Sequence, residues 1–283
     1  MNKLFQPVQV GSLTLKNSIV FAPTSVGREG LDFYEKIAKG GASLIILPDI
    51  SVIPSMLGAP SLGSLQYADY FRKVVEICHR YDCKVSVQLF HPEYDVDYIG
   101  SLYRQRGKIS SDEVHCLLAE NMMAYADTLT TEQADAIVEK FAAAARNARE
   151  VGVDMIQIHG DRLIGSFSSA LFNHRTDRYA PHTAFAEAVV KAVRAAVPEM
   201  PLDYKLTIRT EEPKLGRGGA LISEVPEFVE VLEAAGVDAF HVAIANHSNI
   251  RDTIPAANHP LLQGEGCFTH LGRAVLTMAR KPV

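Results

Sequence analysis

Apolar and polar positions along this chain follow two rhythms that take turns. Short, nearly continuous apolar runs recur, and between them lie longer stretches whose apolar positions return at helical spacing. Three segments show the junction of the two: AKGGASLIIL from Ala38, AREVGVDMIQIH from Ala148 and LEAAGVDAFHVA from Leu232. In each, a helical pattern runs into glycine, which ends a helix readily, and a strand-like apolar run follows. Further strands are predicted at 18–22 (SIVFA), 84–89 (KVSVQL) and 202–208 (LDYKLTI), which makes six. Helices are predicted over 67–80, 183–196 and 223–235, and a longer one from Thr130, where Thr130 and Gln133 have capping-box spacing. Ahead of them PVQVGSLTL reads as a hairpin turning at Gly11-Ser12. The stretch 92–129 reads as a long apolar loop.

Strands alternating with helices imply repeated βα units and a parallel sheet. Two architectures satisfy that pattern, a doubly wound sheet and a (β/α)8 barrel. No strand leads into a GxGxxG turn, which counts against a dinucleotide-binding sheet. The polar residues follow strands instead: Gln88 and His91 after the third, His159 to Arg162 after the fourth, His247 after the sixth. Barrel active sites are built at these C-terminal strand ends. The expectation is an α/β chain of TIM-barrel type, one domain over 1–283, with a short N-terminal hairpin. KPV at 281–283 reads as the start of a seventh strand, so the barrel is expected to be truncated after about six βα units.

Composition narrows the function classes. A net charge of −5, with no basic block or face, points away from nucleic acid and membrane surfaces. No apolar run approaches the ~20 residues of a membrane span, and the first residues lack the apolar core of a secretory signal. Cys78, Cys83, Cys116 and Cys267 form no CxxC pair, so reduced thiols in a cytoplasmic protein are expected.

The candidate chemistry centres on IQIHGDRLIGSFSS, residues 156–169, where an apolar run ends in a histidine, a glycine, an acid and a base. Around it, KLFQPVQVGSLTLKNSIVFAP, VQLFH, FAAAARNAREVGVDMIQIHG and FNHRTDRY stand in an order that resembles the old yellow enzymes, flavin-dependent barrels that reduce activated C=C bonds. IPAANHPLLQGEGCFTHL is most similar to the branch holding the 2,4-dienoyl-CoA reductases. The resemblance implies FMN as cofactor, NAD(P)H as electron donor, either directly or through a flavin-reducing partner protein, and a small conjugated substrate.

Position by position, it implies that Ala22, Pro23, Thr24 and Ser25 lie against the flavin ring, that Gln88 bonds its pyrimidine side, and that Lys205 stands where the family keeps an arginine. A cation there stabilises reduced flavin. Plainer readings stand beside these. Pro23 ends a strand, Gln88 is a satisfied core amide, and Lys205 is ion-paired or forms a Schiff base. His91 is a loop histidine, and His174, Arg175 and Asp177 hold a loop together.

The central run departs from the family. Where relatives carry His-x-x-His or His-x-x-Asn and then a proton-donating tyrosine, this chain has His159, Arg162 and Ile164, with Asp161 between them. A guanidinium anchors a carboxylate or polarised carbonyl more strongly than a neutral imidazole does. Asp161 either donates the proton, although an adjacent arginine tends to strip it, or orients Arg162 and leaves protonation to water. A structural ion pair is the plain alternative. The run resembles that of the bilirubin-reducing branch from gut bacteria, whose substrate offers lactam carbonyls and propionates to His159, Arg162 and His91. Rival readings are a dienoyl-CoA or enoate reductase, a metal or Schiff-base barrel using His91, His159, His241 and Lys205, and a non-catalytic fragment.

Overall fold

A computed structural model describes residues 3–24, 30–54, 59–105, 108–212, 214–245 and 264–283. The hairpin forms as expected. Strand β1 (Val8–Val10) pairs antiparallel with β2 (Leu13–Leu15), turning at Gly11 with φ 54°. Val10 and Leu15 pack on Leu44, Ile46, Met155 and Ala239, at or near the N-terminal ends of three barrel strands. The hairpin therefore covers the end of the sheet opposite the strand C-termini.

The sheet then grows by parallel βα steps. Strand β3 (Val20–Phe21) is followed by α1 (Leu31–Lys39), β4 (Leu44–Ser51), α2 (Ala68–His79) and β5 (Lys84–Phe90). Helices α3 (Val96–Arg104), α4 (Ser111–Thr128) and α5 (Thr131–Glu150) lead to β6 (Met155–His159). Next come α6 (Arg162–Phe167), α7 (Ala184–Ala196), β7 (Leu202–Arg209), β8 (Ala220–Leu221), α8 (Val225–Ala235), β9 (Ala239–Ile244) and α9 (Thr269–Leu276). The order β3-β4-β5-β6-β7-β9 is parallel throughout. The two-residue β8 pairs with the end of β7 beyond the point where β6 stops. This is the α/β, barrel-type sheet the βα pattern called for, and its six main strands are the six expected.

Three expectations are corrected. The first strand is shorter than 18–22, because the chain leaves the ladder just before Pro23, which cannot donate to it. The stretch 92–129 is not a loop: α3 and α4 occupy most of it. Asp95 accepts from Tyr98 N–H and Ser110 from Glu113 N–H, so each helix starts at a side-chain cap. Residues 281–283 adopt no strand, although Phe240 N–H donates to Pro282 O at 2.9 Å, which lays that segment beside β9. By contrast, α5 begins at the expected Thr130–Gln133 capping box.

Strands β5, β6 and β7 alternate strictly. Val85, Val87 and Leu89 of β5, Ile156 and Ile158 of β6, and Leu202, Tyr204, Leu206 and Ile208 of β7 join the helices in one core. Intervening positions carry Ser86, Gln88, Gln157, His159, Asp203, Lys205 and Thr207. The strands are buried on both faces: the helix-facing side is apolar throughout, whereas the inner side is apolar at the hairpin end and polar toward the strand C-termini. All four cysteines are unpaired.

The FNHRTDRY segment locks helices together. Arg175 donates to the carbonyls of Ala126 and Leu129 at 2.7 and 2.5 Å and to both Asp177 oxygens, and its guanidinium lies over the Phe167 ring. His174 meets Asp127. These residues join the α4–α5 junction to the loop after α6, which is the loop-holding reading. The Arg175 bonds hold the Asp177 carboxyl well below the usual carboxylate range. Their stabilisation is therefore present above the ordinary aspartate range and is lost as pH falls below it, through the lowered pKa of the folded state. Arg175→Ala, which leaves two carbonyls without this donor and Asp177 with only Thr131 and Tyr179 N–H, is expected to lower the unfolding free energy by roughly 2–3 kcal/mol, read by urea denaturation.

Candidate active site

The C-terminal ends of the strands converge on a cavity of about 280 Å³. Pro23 follows β3, Asp49 comes from β4, Gln88 from β5, and His159, Asp161 and Arg162 from the end of β6. Lys205 comes from β7, Val242 to Ile244 from β9, and Phe268 precedes α9. Period-two alternation places these side chains: with Ile156 and Ile158 turned to the helices, Gln157 and His159 must face inward.

Glycine makes the turn after β6 possible. Gly160 N–H donates to Lys205 O at 3.1 Å, and a Cβ at that position would collide with this carbonyl and with the Tyr204 ring. The chain can therefore press against β7 before swinging outward. Asp161 is extended, and Arg162 then takes φ 57°, a left-handed conformation uncommon for a long side chain. Asp49 is likewise left-handed, at φ 48°, beside a register shift in β4. Two such residues facing each other across one cavity mark a place where the surroundings hold the backbone off its preferred geometry.

Charge explains what holds them. The Arg162 guanidinium reaches Glu93 at 3.3 Å and Asp49 at 3.6 Å, and Asp49 also lies 3.6 Å from His159 Nε2. Burial pulls the Arg162 guanidinium down, but Glu93, Asp49 and Asp161 outweigh it and keep the group firmly charged. Burial, then the Lys205 charge, drive His159 well below the ordinary histidine range, so it is neutral near pH 7. Burial also lowers Lys205, against the pull of Asp161 and Asp49.

Six residues singled out in the sequence thus come together: Pro23, Gln88, His159, Asp161, Arg162 and Lys205. Ala22 and Thr24 flank Pro23 and are exposed, outside the cavity lining. Ser25 and His247 lie outside the described residues. His91 does not join the group. It lines a separate cavity of about 610 Å³ between β5 and the α4–α5 junction, and its Nδ1 lies 2.9 Å from Pro92 O. Burial lowers its pKa to about 4.

The sequence reading missed Asp49 and Glu93, the acids that grip Arg162. Asp49 had a signal, a Pro-Asp pair inside the apolar run LIILPDIS; Glu93 had none beyond its nearness to VQLFH. Among the described residues, no group of three His, Cys, Asp or Glu side chains is arranged to hold a metal.

Chemically, the arrangement offers a fixed cation, a neutral imidazole, a carboxyl group and a buried amine around one opening. A model of the NADH:flavin oxidoreductase / NADH oxidase family matches residues 3–269. A bilirubin reductase of Clostridium symbiosum (strain WAL-14163) is 40% identical over 277 residues, covering 94% of this chain and 74% of that protein. A bilirubin reductase of Mediterraneibacter gnavus (strain CC55_001C) is 39% identical over 274 residues, covering 90% of this chain but 41% of that protein. The fold is also that of 2-naphthoyl-CoA reductase in its 2-naphthoyl-CoA complex, with TM-score 0.76, 18% identity, and 99% of this chain over 46% of that one. It is similar as well to morphinone reductase bound to tetrahydroNAD, with TM-score 0.65, 21% identity, and 99% of this chain over 79% of that one. The chain thus spans less than half the length of the Mediterraneibacter relative and of the naphthoyl-CoA enzyme. With the family model matching almost its whole length, the chain belongs to the NADH:flavin oxidoreductase / NADH oxidase family.

Proposed function

We propose that this chain carries the flavin site of an FMN-dependent ene-reductase, with NAD(P)H as the electron source and bilirubin as substrate. The observation that carries the reading is the convergence of His159, Asp161, Arg162, Gln88 and Lys205 on one cavity at the strand C-termini. The identity of about two residues in five to two bilirubin reductases favours bilirubin among conjugated substrates.

The residues present suit FMN. Gln88, 1% exposed, offers its amide oxygen to a ring edge that carries an N–H donor. Lys205 brings a largely buried cation, which favours a ligand that gains negative charge on reduction. When bound, FMN supplies the hydride that adds to one carbon of a conjugated C=C bond. The protein's own part is to hold and polarise the acceptor. Arg162, fixed by Glu93 and Asp49, presents a cation whose side chain is 34% exposed. Such a group gains from meeting a lactam oxygen or a propionate. His159, neutral, donates or accepts without adding charge. In this reading Asp161, lining the same cavity, gives a proton to the neighbouring carbon, a role favoured by Glu93 and Asp49 being the ion-pair partners of Arg162.

The test uses the purified full chain. FMN is titrated in by fluorescence quenching, and anaerobic bilirubin consumption with NAD(P)H is followed by absorbance. Saturable flavin binding with loss of the bilirubin band is expected. Lys205→Met is expected to weaken FMN binding about tenfold, the value of roughly one charge-assisted hydrogen bond. A chain that never takes up flavin, or takes it up and leaves bilirubin untouched while reducing a simple enoate, removes the reading or its substrate.

A further inference from the structure

Below the cavity, three adjacent strands carry a row of polar side chains in direct register: Gln88 of β5, Gln157 of β6 and Asp203 of β7. All three are at most 5% exposed. Gln88 Nε2 donates to Gln157 Oε1 at 2.5 Å, and Gln157 Nε2 donates to Asp203 Oδ2. Gln157 Nε2 also lies 3.2 Å from His241 Nδ1 on β9. Gln88 thereby keeps its oxygen on the cavity side, 3.4 Å from the Asp49 N–H.

The direction of this row follows from its far end. A primary amide donates from one arm and accepts on the other, whereas an ionised carboxylate only accepts. Asp203 therefore draws the NH₂ of Gln157 toward itself. Gln157 must then show its oxygen to Gln88, and Gln88 must turn its own NH₂ away from the cavity. We propose that Asp203 is a positioning residue: through Gln157 it holds the Gln88 amide oxygen-first, so that the site takes a flavin edge presenting an N–H there. This rests on the flavin reading above.

The row is reversible in principle. A protonated Asp203 has a hydroxyl to donate, and donation to the oxygen of a turned Gln157 flips both amides, leaving the Gln88 NH₂ facing the incoming N–H. Burial pushes the Asp203 carboxyl up to about 7, against the pull of the Gln157 bond and the Lys205 charge. Burial, then Lys205, hold His241 at about 4, so its neutral ring accepts from Gln157 and favours the oxygen-first state. Among the described residues, the other titratable groups near the row are Lys205 on β7, His159 on β6 and Asp49 on β4. At the hairpin end the inner face closes with apolar Val10 and Leu15. The ionised row therefore prevails above neutrality and is lost as pH falls through the Asp203 transition.

Two readouts test it. In the wild-type chain without flavin, the side-chain NH₂ resonances of Gln88 and Gln157 in nitrogen-edited NMR are expected to move with one transition near neutral pH. With FMN, the dissociation constant is expected to rise about tenfold as pH falls through that transition, since one hydrogen bond is replaced by opposed donors. Asp203→Asn should abolish both pH responses and bind FMN weakly throughout. One carboxyl oxygen also accepts from Tyr204 N–H, so an amide there cannot face two donors with two oxygens. Resonances indifferent to pH, or an Asp203→Asn variant with wild-type affinity and slope, would overturn the positioning role even if flavin binds. Resonances that respond in a chain that binds no flavin would instead sink the functional reading. The wild-type titration needs no variant to fold.

Discussion

Replacing Asp161 with asparagine is expected to lower bilirubin turnover roughly 10²–10⁴-fold, the usual worth of a positioned proton donor, while FMN stays bound and reducible. Asn keeps the shape and removes the acidic proton. The choice of Asp161 rests on how the neighbouring charges are divided. Arg162 takes its close ion-pair partners from Glu93 and Asp49. His159 is held neutral by burial, so its ring carries no ready proton near pH 7. Ile164 stands where the resemblance to the old yellow enzymes implies a tyrosine, and it is 1% exposed within the core. Asp161 lines the cavity and does not cap α6. Rapid mixing of the reduced, flavin-loaded enzyme with substrate reads the step directly. An Asp161→Asn rate within a factor of about three of wild type, too small for loss of general acid catalysis, would pass the proton's source to water.

Arg162→Ala is expected to act twice. It removes the cation that holds the acceptor oxygen, raising the substrate KM and lowering turnover. It also leaves the Glu93 side chain, 5% exposed, without its positive partner. Breaking a buried pair from one side costs roughly 3–5 kcal/mol, because the remaining charge stays desolvated. The two effects separate in a double variant. Adding Glu93→Gln to Arg162→Ala should restore most of the lost stability, since no bare carboxylate remains, but not the turnover. Urea denaturation reads the first and steady-state kinetics the second. If Glu93→Gln rescued both, Arg162 would be a structural ion-pair member with no part in holding substrate.

Much of this molecule was legible before any coordinates. The βα alternation, the hairpin at Gly11, the Thr130–Gln133 cap and the cluster after β6 all depend on residues close in sequence, where glycine, capping side chains and period-two patterning act locally. The misreadings have local causes too. The 92–129 stretch passed for a loop because its caps, Asp95 and Ser110, were overlooked as helix starts.

Other features had no local cause to find. Asp49 lies on β4 and Glu93 follows β5, whereas Arg162 follows β6, and only the side-by-side packing of these strands brings the two carboxylates within 4 Å of one guanidinium. His91 sits three residues past Gln88 in the chain, yet the two line different cavities, because the chain turns away from the barrel axis at the end of β5. The chain's own pattern of residues was enough to set which elements form, in what order, and which strand ends carry reactive groups, since those follow from short-range stereochemistry and burial. Which acid grips Arg162, and which way the Gln88 amide points, were settled only by folding. Both depend on cross-strand register between residues 39 to 113 positions apart, and hydrogen bonds and charges act across a few ångströms of space regardless of the distance along the chain.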